Sequence, residues 1–67
     1  MRPIAFYEIV EGVLYLTHER DGDDHIVTLQ GDMNCKILYE GEDAVAAKAV
    51  YDKERERYKK QKAEVAQ

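Results

Sequence analysis

The chain contains a single cysteine, a single proline, no tryptophan and no serine. One cysteine cannot form an internal disulfide, and no leader of basic and then apolar residues is seen, so we expect a cytoplasmic protein. The lack of serine removes a common nucleophile, and no glycine-rich loop precedes the predicted helix to hold a phosphate. No apolar run approaches the roughly 20 residues that cross a bilayer. These absences favour a protein without enzymatic activity, cofactor or membrane association.

The length of 67 residues predicts one small domain spanning residues 1–67. Such a chain buries only ~60% of the surface that it exposes when unfolded. The resulting core rarely contributes more than ~3–5 kcal/mol and leaves little volume for a pocket of ~300 Å³. Oligomerisation or a bound partner would add stability.

The formal net charge of −4 is distributed unevenly along the chain. Residues 1–43 carry three basic and ten acidic side chains, whereas residues 44–67 carry seven basic and four acidic ones. The acidic first part disfavours nucleic acid and favours a partner protein with a basic surface. One such surface is the nucleic-acid channel of a larger protein.

Four segments rich in β-branched and aromatic residues are separated by turn signals, which predicts strands at about 4–10, 13–19, 24–30 and 34–39. Residues 42–65 contain many helix formers and neither glycine nor proline, which predicts one long helix. The predicted fold class is α+β: a four-stranded antiparallel β-meander followed by one long C-terminal α-helix packed on one sheet face. The predicted helix stripe comprises Ala44, Ala47, Val50, Tyr51, Tyr58 and Val65.

Alternating apolar residues predict how the strands pair. With Asp21-Gly22 as a two-residue turn, the central hairpin has a continuous aliphatic face. The predicted pairs of this hairpin are His18 with His25, Leu16 with Val27, and Leu14 with Leu29.

The outer strands are placed by the same reasoning. A two-residue turn at 11–12 pairs Tyr7 with Leu16 and Ile9 with Leu14, and leaves Phe6 outside. A longer loop after residue 30 keeps the aliphatic face continuous by aligning Cys35 with Leu29 and Ile37 with Val27. Cys35 is therefore predicted to be buried.

The other sheet face is too apolar for a plain solvated surface, and the sequence offers no second helix to cover it. Its residues are Val13, Tyr15, Thr17 and Ile26, with Phe6 and Leu38 depending on the register. Aromatic and β-branched residues among acids are typical of protein interfaces. The predicted partner-binding residues are Tyr15, Thr17, Ile26, Asp21, Asp23 and Asp24. The partner is a larger protein or, by sheet packing, a second copy of the chain.

His18 and His25 are the only histidines, and as cross-strand neighbours they could share a zinc or nickel ion. Glu19 and Asp24 project to the opposite face, which leaves Tyr39 or a residue of the helix as weak candidates for the third ligand. We therefore predict no metal site and interpret the pair as closing the open end of the core. Two facing imidazoles resist simultaneous protonation, so stability should decline near about pH 6.

An alternative function rests on the basic end of the helix. A dimeric nucleic-acid-associated regulator would contact a duplex through Arg55, Arg57, Lys59 and Lys60. Four acids interleave with this run and favour a solvated helix surface instead.

In size, acidity and lack of a catalytic set, the chain resembles the small proteins with which phages and mobile elements block host machinery, including anti-CRISPR proteins. The resemblance covers size and architecture and carries over no functional residues. It implies an inhibitor that acts by binding a larger protein.

Overall fold

A computed structural model describes the backbone of residues 2–65 and the side chains of residues 2–60. It confirms the predicted ββββα architecture. Neighbouring strands are antiparallel, and their order in the single sheet is β1-β2-β3-β4. The sheet extends two residues further at each end than predicted, and the helix begins two residues later. The elements are β1 (Arg2–Val10), β2 (Leu14–Asp21), β3 (Asp24–Gln30), β4 (Cys35–Gly41) and α1 (Ala44–Val65).

The core lies between α1 and one face of the sheet, which we call the inner face. Its buried side chains come from both layers: Ile9, Leu16 and Val27 from the sheet, and Ala47 and Tyr51 from the helix. The small side chain of alanine lets the helix approach the strands closely.

The predicted helix stripe is confirmed in its central part. Val50 and Tyr58 pack against the core, but Ala44 is exposed. The side chain of Val65 lies outside the described residues.

The start of α1 is set by Asp43. Its carboxylate Oδ1 accepts hydrogen bonds from the backbone N–H groups of Val45 at 3.0 Å and Ala46 at 3.1 Å. This is the arrangement of an N-cap, which satisfies donors that have no partner within the helix. The helix therefore begins at Ala44 and not at residue 42.

The predicted register of the central hairpin is wrong by two residues. The structure pairs Leu16 with Leu29 and His18 with Val27, and the loop is Gly22-Asp23. Gly22 has φ of +64°, and no non-glycine residue among those described has positive φ. Glycine alone at positive φ in the first loop position is typical of a type II′ turn, whereas the predicted loop would need positive φ at an aspartate as well. A shift of two residues leaves the faces unchanged.

The pairing of β1 with β2 contains two irregularities. Tyr7 pairs with Leu16 as predicted, but Val10 pairs with Leu14, so the prediction for Ile9 is wrong. Ile9 is an extra residue in a β-bulge, and Ile4 is a second. The bulge lets β1 bury Ile9 while its pairing continues.

The predictions for β4 are wrong in register. Cys35 is exposed and pairs with Gln30, and Ile37 pairs with Thr28. The loop spans residues 31–34, and a bulge at Leu38 then changes the register. Leu38 and Tyr39 pack against the core in place of the predicted pair.

Candidate functional site

The outer face of the sheet, opposite α1, is crossed by a row of four paired residues. Phe6, Thr17, Thr28 and Ile37 come from successive strands. The two threonines are only 8% and 6% exposed, and their hydroxyls are joined by a hydrogen bond of 2.5 Å. Phe6 and Ile37, by contrast, are 61% and 57% exposed. The row thus has two buried, hydrogen-bonded threonines at its centre and an exposed apolar side chain at each end.

An aromatic pair extends this row. The rings of Phe6 and Tyr15 have centroids 5.4 Å apart and planes tilted by 31°. Such an arrangement is favourable between aromatic rings and fixes both side chains. Ile26 is half-buried on the other side of the row. The outer face therefore presents four apolar side chains around the threonine pair, and we call this set the apolar strip: Phe6, Tyr15, Ile26 and Ile37.

Carboxylates surround the apolar strip. Glu8 pairs with Tyr15, both neighbours of Ile26 in the sheet are glutamates, and an aspartate pair ends the β2–β3 ladder. Among the described strand residues, the register assigns no lysine or arginine to this face. The five outer-face carboxylates are Glu8, Glu19, Asp21, Asp24 and Glu40.

Asp23 lies in the turn beside the outer face. Its carboxylate is 4.0 Å from the guanidinium of Arg20, whose Nε donates a 2.8 Å hydrogen bond to the carbonyl of Gly22. Both side chains are largely exposed, so this ion pair is weak.

The structure brings most of the predicted partner-binding residues together. Tyr15, Ile26, Asp21 and Asp24 share the outer face, whereas Thr17 is buried and offers little contact surface. Val13, predicted for this face, lies in the β1–β2 turn, and Leu38 packs against the core.

The prediction missed the exposed Ile37. The hydrophobicity of Ile37 predicts a position on the inner face of the sheet. Only the length of the loop between β3 and β4 could have indicated the outer face.

The two histidines lie at one end of the inner face. They are diagonal neighbours and not opposite each other, yet His18 Nε2 and His25 Nδ1 form a 3.1 Å hydrogen bond. Burial and the charge of His25 lower the pKa of His18 from its ordinary value, while Asp52 acts in the opposite direction. Within the described residues, no three histidine, cysteine or acidic side chains form a group that could hold a metal ion.

A half-open groove of about 470 Å³ lies between this end of the inner face and α1. One side of the helix and the ends of three strands form its walls. Sequence reasoning missed the groove because its residues are distant in sequence. Those residues are Ile4, Ala5, His18, His25, Ala44, Lys48, Tyr51, Asp52 and Arg55.

The polar groups of the groove are partly paired. Lys48 Nζ donates a 3.0 Å hydrogen bond to Asp52 Oδ2, one helical turn away. Burial raises the pKa of Tyr51, which the charge of Arg55 acts to lower. Among the described residues, Arg55 Nε is buried and has no hydrogen-bond partner.

The basic residues of the alternative function have different surroundings. Arg55 lines the groove, and Arg57 lies 3.8 Å from Glu54 and over the ring of Tyr58. Lys59 and Lys60 are exposed.

No helix in the described part of the chain is long and apolar enough to cross a membrane. Comparison with known proteins identifies no relative: no family model matches the chain, and no curated protein or solved structure matches it.

Proposed function

We propose that this protein is a non-enzymatic binding module whose outer sheet face contacts a larger protein with a basic surface. The observation that supports this function is the apolar strip surrounded by five carboxylates. Aromatic side chains supply contact area at low entropic cost, and surrounding charges orient the partner. The outer face supplies both the aromatic contact area and the surrounding charges.

The chemistry of the partner follows from the sign of the charge. A surface with several carboxylates, to which the described strand residues add no cation, is matched by lysines and arginines, which line channels that hold nucleic acid. We therefore propose an inhibitor that occupies such a channel in a nucleic-acid-handling machine. A phage or mobile element would employ an inhibitor of this kind against its host.

Capture with matched variants tests the proposal. The tagged protein is used to capture partners from nuclease-treated lysate of its source, and the captured protein is then purified and its affinity measured. We expect Tyr15→Ala and Phe6→Ala each to weaken binding about tenfold, as removal of an interface anchor does. Val45→Ala is the control, because this helix residue is 79% exposed and lies outside the strip.

Charge reversal provides a second arm. Glu19→Lys with Asp24→Lys should slow association and reduce its dependence on salt, since complementary charges act mainly on the association rate. Glu56→Lys, an exposed helix position, should change neither. Unchanged binding by the outer-face variants would reject this assignment of the site.

The nucleic-acid-associated regulator is the competing outcome. It requires salt-dependent duplex binding that is lost on changing Arg57, Lys59 and Lys60. The pairing of Arg57 with Glu54 and the position of Arg55 in the groove favour the binding module.

A further inference from the structure

The groove beside the histidine pair is large for a chain of this size. Its volume of about 470 Å³ falls within the range of small-molecule sites, which are mostly apolar with a few convergent polar groups. Ile4, Ala5 and Ala44 give it apolar walls, and Tyr51 both lines the groove and belongs to the core. The groove therefore offers apolar contacts to part of a ligand.

Arg55 indicates which polar group such a ligand carries. Its Nε is buried with no hydrogen-bond partner among the described residues, although buried donors in folded proteins are almost always paired. Its Nη2 lies 3.8 Å from Glu56 Oε1, which is too far for a hydrogen bond. The side chain as a whole remains 41% exposed although Nε itself is buried, so an incoming group can approach the other atoms of the guanidinium. The hydrogen-bond partner that Arg55 Nε lacks is an acceptor.

The geometry of a guanidinium selects the acceptor further. Nε–H and a neighbouring Nη–H form a fork that matches two oxygens of a carboxylate or phosphate. Asp52, the acid in the groove, is hydrogen-bonded to Lys48 at 3.0 Å, which offsets its repulsion of an anion. The guanidinium of Arg55 therefore has Glu56 at 3.8 Å as an ion-pair partner, and its Nε has no hydrogen-bond acceptor among the described residues.

The histidine pair supplies further polar contacts. The bond between His18 Nε2 and His25 Nδ1 uses one ring nitrogen of each residue. Among the described residues, the other nitrogen of each ring has no hydrogen-bond partner, and both residues line the groove.

We propose that this groove binds a small organic anion, with its carboxylate or phosphate on Arg55 and its apolar body against Ile4, Ala5 and Tyr51. This site lies on the opposite side of the sheet from the outer face. It is therefore independent of the proposed function, and the two can fail separately.

Titration with simple probes tests the site. Benzoate and phenyl phosphate carry the two oxyanions on an apolar body, benzyl alcohol lacks the charge, and inorganic phosphate lacks the apolar body. We expect one or both aromatic anions to bind with a Kd of about 0.1–1 mM and the other two probes to bind at least about tenfold more weakly. NMR signals of His18, His25 and Tyr51 should shift during the titration, whereas those of Tyr15 on the outer face should not.

Matched arginine variants assign the anion contact. Arg55→Gln should weaken binding about tenfold, and Arg57→Gln should change it less than about twofold. The two positions are comparable because each guanidinium lies 3.8 Å from a helix glutamate. Circular dichroism establishes that both variants are folded.

Three results would overturn the proposal. The first is the absence of any shift of the groove signals at about 10 mM of either aromatic anion. The second is an equal affinity for benzyl alcohol or inorganic phosphate. The third is undiminished binding by the folded Arg55→Gln variant.

Discussion

His18 is a buried titratable residue, only 5% exposed, whose pKa is lowered mainly by burial. A lowered pKa means that the unfolded chain binds a proton more readily than the native protein does. The stabilisation is complete above the unfolded pKa of about 6.5 and is lost as pH falls through the lower folded pKa. We expect the free energy of unfolding, measured with urea, to decrease from about pH 7.5 to about pH 5.5, where carboxylates stay ionised.

The variant His18→Gln is the control for this pH dependence. Glutamine can still hydrogen-bond to His25 but does not titrate, so the variant should lose less stability over the same interval. An unchanged slope would assign the pH dependence to other groups.

The hydroxyls of Thr17 and Thr28 are buried beneath the outer face and bonded to each other. Thr17→Val should cost about 1 kcal/mol, because it leaves Thr28 with only the Gln30 amide at 3.4 Å. Replacing both threonines by valine should cost less than the sum of the single changes, because neither hydroxyl then lacks a partner. Equilibrium unfolding of the four proteins gives the coupling, and additive costs would contradict it.

At the scale of elements, α1 depends on its cap. Asp43→Ala should lower the free energy of unfolding by about 1 kcal/mol, since two backbone N–H groups lose their acceptor. Glu42→Ala, one residue earlier and exposed, should change it by less than about 0.5 kcal/mol. Thermal unfolding of both variants compares the positions. Equal losses would mean that general negative charge, and not the cap, stabilises the helix start.

The number, order and facing of the strands could be predicted because side-chain alternation survives a shift of two residues. The register of the strands could not be predicted in this way. Gly22 decides the central turn by occupying its first position, a choice that depends on backbone twist and not on hydrophobicity. Ile9 and Leu38 are extra residues whose inward packing depends on contacts with the rest of the core. A strict alternation of inward and outward side chains therefore cannot predict a bulge residue.

The candidate site was predictable to a similar degree. Tyr15 and Ile26 alternate with core residues along their strands, which identified the outer face. Tyr51, Asp52 and Arg55 meet the histidines only after the helix packs, so the groove has no local sequence signal.

At the scale of the molecule, the outer-face carboxylates bear on self-association. Two copies packed sheet to sheet would bring five carboxylates against five, and the described strand residues place no compensating cation on that face. We expect sedimentation velocity to show a monomer at about 20 mM salt, because repulsion is weakly screened there. A dimer at low salt, weakened by Phe6→Ala, would instead assign the apolar strip to a second copy.

The three extra residues, Ile4, Ile9 and Leu38, all belong to the strands at the rims of the sheet, whereas the central β2–β3 ladder is regular. A straight rim offers free N–H and C=O groups on which another strand can add, and bulges interrupt that template. The bulged edge strands therefore oppose growth of the sheet into fibres by strand addition. A small protein that exposes phenylalanine and isoleucine can in this way remain dispersed.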